Sequence, residues 1–143
     1  MEQKILEFLS THRVCSLTTL LKDGTPHAAA VHYSHNVEPL ELFFSTDKTS
    51  KKCQDLLTGN STKASVVVGF SEEEWKTLQM DGKLRAVAGT DELQHIHPLH
   101  YLKHPEAAKY KNDPDTIFLK FTPTWWRYSD YTTEPLTVIA SDS

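Results

Sequence analysis

Apolar positions in this chain fall into short runs broken by turn residues, a pattern of extended strands with few helices. The run "RVCSLTTLL" (13–21) passes through "KDGT" into "PHAAAVHYS" (26–34), which predicts a β-hairpin. "LELFFST" (40–46) is a third strand, reached through "HNVEP". In "KASVVVGF" (63–70), Ala64, Val66, Val68 and Phe70 alternate with Ser65, Val67 and Gly69. Both faces are rather apolar, as in a strand covered by neighbours. "EEEWKTLQM" is expected to turn at Asp81-Gly82 into "KLRAVAGTDEL", a second hairpin. "TIFLKFTPTWWRYSDY" (116–131) is the last long strand, followed by a polar tail with one apolar run, "LTVIA".

Three stretches have helical spacing. "MEQKILEFLSTHR" places Ile5, Leu6, Phe8 and Leu9 on one side. "TSKKCQDLL" places Thr49, Cys53, Leu56 and Leu57 on a stripe, and residues 98–110 are expected to form one helix or two split at Pro105. About six antiparallel strands with flanking helices predict a closed or nearly closed barrel, with a sandwich as the competing architecture. A length of 143 residues fits one domain with a real core.

Composition narrows the function classes. A formal net charge of −4 leaves no basic surplus for general nucleic-acid binding. No segment is long and apolar enough for a transmembrane helix, and the charged amphipathic start does not resemble a secretory signal. Two cysteines, Cys15 in a strand and Cys53 in the second helical stretch, provide no disulfide framework, so a cytoplasmic protein with two buried thiols is expected.

The chemistry concentrates at "FFSTDKTSKK". Thr46 and Ser50 offer hydroxyls, and Lys51 and Lys52 offer charge where a strand gives way to a helix. Lysines in a first helical turn oppose the macrodipole by about 0.3–1 kcal/mol each when exposed. Either these are ordinary solvated lysines, or an anion such as a phosphate normally sits there. A second cluster is "HIHPLHYLKH", with His95, His97, His100 and His104 within ten residues. Pro98 is expected to separate a strand-end pair from a helical pair, and no carboxylate lies within the helical pair. Surface or capping histidines are therefore expected, with no metal site. In "TWWRYSDY", the adjacent Trp125 and Trp126 point to opposite faces of a strand, one toward the core.

The order "DGTPHAAAVHY", "LELFFSTDKTSKK", "KASVVVGF" and then "RAVAG" resembles the pyridoxamine 5′-phosphate oxidase-like family of FMN-binding split barrels, over about residues 5–130 of a single domain, with 131–143 as a tail. The resemblance implies an antiparallel split β-barrel, a homodimer with flavin at the subunit interface, and FMN as cofactor. Thr46 and Ser50 then correspond to hydroxyl ligands of the FMN phosphate, and Lys51 and Lys52 to the basic pair after them. Residues 27–33 of the second strand would run beside the isoalloxazine, and Arg85 and Trp126 fall in strands that supply ring or second-subunit contacts. The oxidases proper carry an Arg and, five residues on, a Lys in that second strand, both aimed at the phosphate end. Here these positions hold His27 and His32. Imidazole donates hydrogen bonds but adds charge only when protonated, so weaker or pH-dependent FMN binding is expected. The basic C-terminal segment of the oxidases is also absent, so pyridoxal phosphate synthesis is not expected. The implied function is a flavin-dependent oxidoreductase of an unidentified small substrate. The alternative is a non-catalytic flavin- or haem-binding protein on the same fold. No general acid or base stands out, His32 and Tyr33 being the nearest candidates.

Overall fold

The computed structural model describes residues 1–141, so the end of the tail expected at 131–143 lies outside the described residues. Helix α1 (Gln3–Thr11) is followed by strands β1 (Val14–Leu20), β2 (Pro26–Val37), β3 (Leu40–Asp47), β4 (Ser61–Val68) and β5 (Lys76–Val87). Helix α2 (Thr90–Lys103), β6 (Thr116–Asp130) and β7 (Thr137–Ala140) complete the chain. The strands form one antiparallel sheet in the order β3-β2-β1-β4-β5-β6-β7, and β3 also pairs with β6. That last pairing closes six strands into a barrel with β7 as an addition on β6. The expected split barrel is therefore present, and the apolar run taken for part of a polar tail is a paired strand.

The barrel interior follows from strand alternation. Leu17, Val31, Tyr33, Phe44, Val66 and Met80 belong to one buried cluster, and α1 caps it with Ile5, Phe8 and Leu9. A smaller cluster lies outside the barrel, where Phe43, Val87 and Phe118 point outward and are covered by Ile96 of α2. One face of the β3–β6–β5 wall is thus apolar because a helix lies on it, which explains why neither face of those strands looks polar.

Four local expectations are corrected. Asp81-Gly82 does not turn the chain: β5 runs through it, with a register irregularity against β6 between these two residues. A β-carbon on Gly82 would lie 2.2 Å from the Thr122 carbonyl oxygen, so glycine is required by close approach of β6 and not by a turn. The helix expected over 49–57 is instead two short 3-10 turns, Lys51–Cys53 and Leu56–Thr58. Helix α2 begins at Thr90, where a strand was expected to continue, and carries Pro98 in its interior. His95, His97 and His100 are all helical, His104 caps the helix, and Pro105–Tyr110 forms a separate 3-10 segment.

Candidate functional site

Strands β2 and β3 pair only from Tyr33↔Phe44 to Val37↔Leu40. Toward its start, β2 stays with β1 through residues 26–32, while β3 continues along β6 to Asp47. The two strands therefore diverge, leaving one edge of residues 26–32 without a β3 partner. An unpaired edge presents alternating N–H and C=O groups that need partners.

The hydroxyl and lysine cluster sits where β3 departs. Thr46 lies on the inward-facing parity of β3, shared with Leu42 and Phe44, and Ser50 precedes the first 3-10 turn. Thr46 Oγ1 is 3.5 Å from Ser50 Oγ, and Lys52 Nζ donates to Ser50 Oγ at 3.2 Å. Cys53 is buried below, its Sγ 3.2 Å from the same Ser50 oxygen. A narrow crevice lined by Lys22, Lys51, Lys52, Asp55, Leu56 and Thr62 adjoins the cluster. Neither Lys51 nor Lys52 has an ion-pair partner among the described residues. Asp47 is turned to Thr49, whose backbone N–H and hydroxyl donate to it and hold its carboxyl below the usual carboxylate range. Because the segment is a pair of 3-10 turns, no macrodipole opposes these lysines, and the electrostatic oddity seen in the sequence disappears. What remains is positive charge and hydroxyl donors, with Asp23, Asp47 and Asp55 nearby but none in direct ion-pair contact with Lys51 or Lys52.

The other expected site residues are dispersed. His27 and His32 lie on opposite faces of β2, five residues apart, because a strand alternates its side chains. His27 shares the inward parity of Val31 and pairs across to Thr19, whereas His32 is exposed and packs edge-on to His104 at 5.1 Å. Arg85 points outward to α2, where Nη2 meets both carboxylate oxygens of Glu92 at 2.8 and 2.9 Å. Lys120 joins the same group, 3.0 Å from Glu41 and 3.3 Å from Glu92. Trp126 packs against the barrel core from β6. Tyr33 is fully buried and donates its hydroxyl to the Leu9 carbonyl at 2.6 Å. The Cys15 thiol is pushed up to about 12 by burial, as an inert core thiol would be.

The histidines of α2 are only partly at the surface. His95 is exposed and His104 is at the expected capping position, but His100 and His104 are fully buried and not at the surface. His100 Nδ1 lies 2.8 Å from Ser34 Oγ, and burial depresses its pKa to about 3. A separate groove of about 410 Å³ runs over β1, β4 and β5, lined by Thr18, Ala64, Asp81 and Thr124 among others. Lys22 and Thr62 at the lysine crevice went unnoticed in the sequence, because they lie far along the chain from "TSKK" and carry no motif.

The family model for pyridoxamine 5′-phosphate oxidase matches residues 1–130. This chain belongs to the pyridoxamine 5′-phosphate oxidase family. Among curated proteins nothing matches. A protein related to general stress protein 26 from Clostridium acetobutylicum shares 17% identity, with a TM-score of 0.69 over 97% of this chain and 92% of that one. A conserved hypothetical protein from Mycobacterium tuberculosis superposes with a TM-score of 0.72 at 16% identity, covering 100% of this chain and 93% of the other. A haem-binding protein from Mycobacterium smegmatis has a TM-score of 0.71 at 17% identity, over 97% of this chain and 59% of that one. At such identities these likenesses speak to the split-barrel fold. Among the described residues, no helix is long and apolar enough to cross a membrane.

Proposed function

We propose that this family member binds FMN and acts as a flavin-dependent oxidoreductase on a small substrate. The observation that carries the reading is a coincidence of place: the unpaired edge of β2 adjoins hydroxyls and lysines that have no carboxylate partner. Thr46 and Ser50 would accept or donate hydrogen bonds at the phosphate, and Lys51 and Lys52 would neutralise it. The free N–H and C=O groups of residues 26–32 would meet the polar edge of the ring, with His27 on the inward side of that strand. When bound, the flavin supplies the hydride or electron transfer. The chain's own work is to hold the phosphate, satisfy the ring edge and exclude water. His27 and His32, on opposite faces of this strand, stand where the oxidases carry their Arg and Lys. A homodimer with flavin at its interface fits the family, and in it Arg85 would reach the ring only by leaving Glu92.

A second reading, a non-catalytic flavin or haem carrier, draws on two observations. Tyr33, one of the nearest acid–base candidates, is committed to the Leu9 carbonyl inside the core, and a neighbour of the same fold is a haem-binding protein. One preparation separates the readings. The purified chain is saturated with FMN, freed of excess, and its visible spectrum recorded, followed by anaerobic addition of NADH or NADPH. Retained flavin that is bleached supports the enzyme. Retained flavin that stays oxidised favours the carrier, and failure to retain or quench FMN sinks both flavin readings.

A further inference from the structure

We propose that His32, His104 and Glu106 form a binding site for a divalent metal of the zinc class on the outer side of β2. The proposal is independent of the flavin reading. Strand alternation turns His32 outward, α2 delivers His104 at its C-terminal end, and the following 3-10 segment delivers Glu106. Each offers one ligand atom, and the three atoms lie within 4.8 Å of one another.

The decisive geometry is at His104, which is fully buried. Its Nε2 lies 2.7 Å from the Tyr33 carbonyl oxygen. A carbonyl only accepts, so Nε2 carries the hydrogen and Nδ1 keeps a lone pair. Anchoring one ring nitrogen on a backbone carbonyl while the other ligates is how metal-binding histidines are usually oriented.

Nδ1 already faces a cation. Arg13 Nη2 lies 3.3 Å from it and also pairs with Glu106, whose Oε1 is 3.7 Å from Nδ1. A neutral imidazole nitrogen and a carboxylate thus converge on one positive group. Arg13 is about half exposed (52%) and lies outside the core clusters, so its side chain is free to withdraw into solvent. An Arg–Glu–His triad alone leaves His32 unexplained: its ring is set against His104 and makes no hydrogen bond among the described residues. A further positive charge, Lys103, donates to the Leu9 carbonyl and lies over the Tyr33 ring. Two imidazole nitrogens and one carboxylate oxygen suit zinc or cobalt over magnesium or calcium, and leave a fourth position for water.

The test uses the full-length chain without a histidine tag. Zinc affinity is measured by competition with a chromogenic chelator, and cobalt substitution is followed by visible absorption. One zinc per chain and a low-coordinate cobalt spectrum are expected. His32→Ala and Glu106→Gln, both at exposed positions, should each weaken zinc by about tenfold or more without unfolding the protein. Arg13→Gln should tighten binding by removing the competing cation, and His95→Ala should leave it unchanged. Sub-stoichiometric zinc, affinity that survives both His32→Ala and Glu106→Gln, or weaker binding in Arg13→Gln would overturn the proposal.

Discussion

Two basic groups on this barrel differ in one respect that separates scaffold from candidate site. Under α2, Arg85 and Lys120 share Glu92, and Lys120 also reaches Glu41, so both of these cations have an opposite neighbour. At the end of β3, Lys51 and Lys52 meet only hydroxyls and the crevice beside them. Cations with internal partners hold the helix to the barrel. Cations without them are poised for an anion from outside, since a charge left without a counter-charge gains most from a ligand that brings one.

The largest expected effect tests two histidines that the fold keeps neutral, one on α2 and one on β2. Burial depresses the buried His100 of α2 to about 3 and the half-buried His35 of β2 to about 4. Their folded pKa values lie below the ordinary histidine value of about 6.5, so the unfolded chain takes up protons first. Stability is complete above about pH 6.5 and falls with acidification, by about 1.4 kcal/mol per pH unit for each histidine until the folded pKa is reached. Denaturant midpoints measured from pH 7 to 5 should drop accordingly, and a flat profile would mean that these rings are not kept neutral by the fold.

On the β3 side, Lys51→Ala combined with Lys52→Ala removes two charge-assisted contacts, about 1.5 kcal/mol each at the low end. FMN affinity should fall by about a hundredfold, read by fluorescence quenching, while the melting temperature stays within about a degree or two. Unchanged affinity would place the phosphate elsewhere. Glu92→Gln reverses the pattern. It should cost about 1 kcal/mol of stability, limited by partial exposure of both partners, and leave FMN binding untouched. A rise in FMN affinity would instead show that Arg85, once released, turns to the flavin. Thr46→Val is the mildest change. Loss of one hydroxyl is worth about 1 kcal/mol, so FMN should bind about fivefold more weakly with no change in fold.

Much of the barrel was legible because its strands alternate and its turns are short. β1 through β4 fall where "RVCSLTTLL", "PHAAAVHYS", "LELFFST" and "KASVVVGF" place them. The failures share a cause. Asp-Gly is a strong turn signal, yet at Asp81-Gly82 the glycine serves the close approach of Thr122 and Pro123 on β6, which no local pattern encodes. Thr90 to Leu93 read as a strand end because Pro98 looked like a boundary, whereas Asp91 and Glu92 form the acidic first turn of α2. The hydroxyls and lysines of the clamp were visible as a motif. The open edge of β2 beside them was not, because it depends on where β3 leaves β2 for β6.

By itself the sequence determined the alternation that builds an all-antiparallel barrel, the family, and the local grouping of Thr46, Ser50, Lys51 and Lys52. Those properties depend on residue type and short spacing. The tertiary structure decided which charges are neutralised and which are left open. It paired Arg85 with Glu92, and brought His104 and Glu106 to His32 across more than seventy residues of chain. Closure of β3 onto β6 and the packing of α2 set these distances, and both arise from long-range burial that no short window of sequence contains.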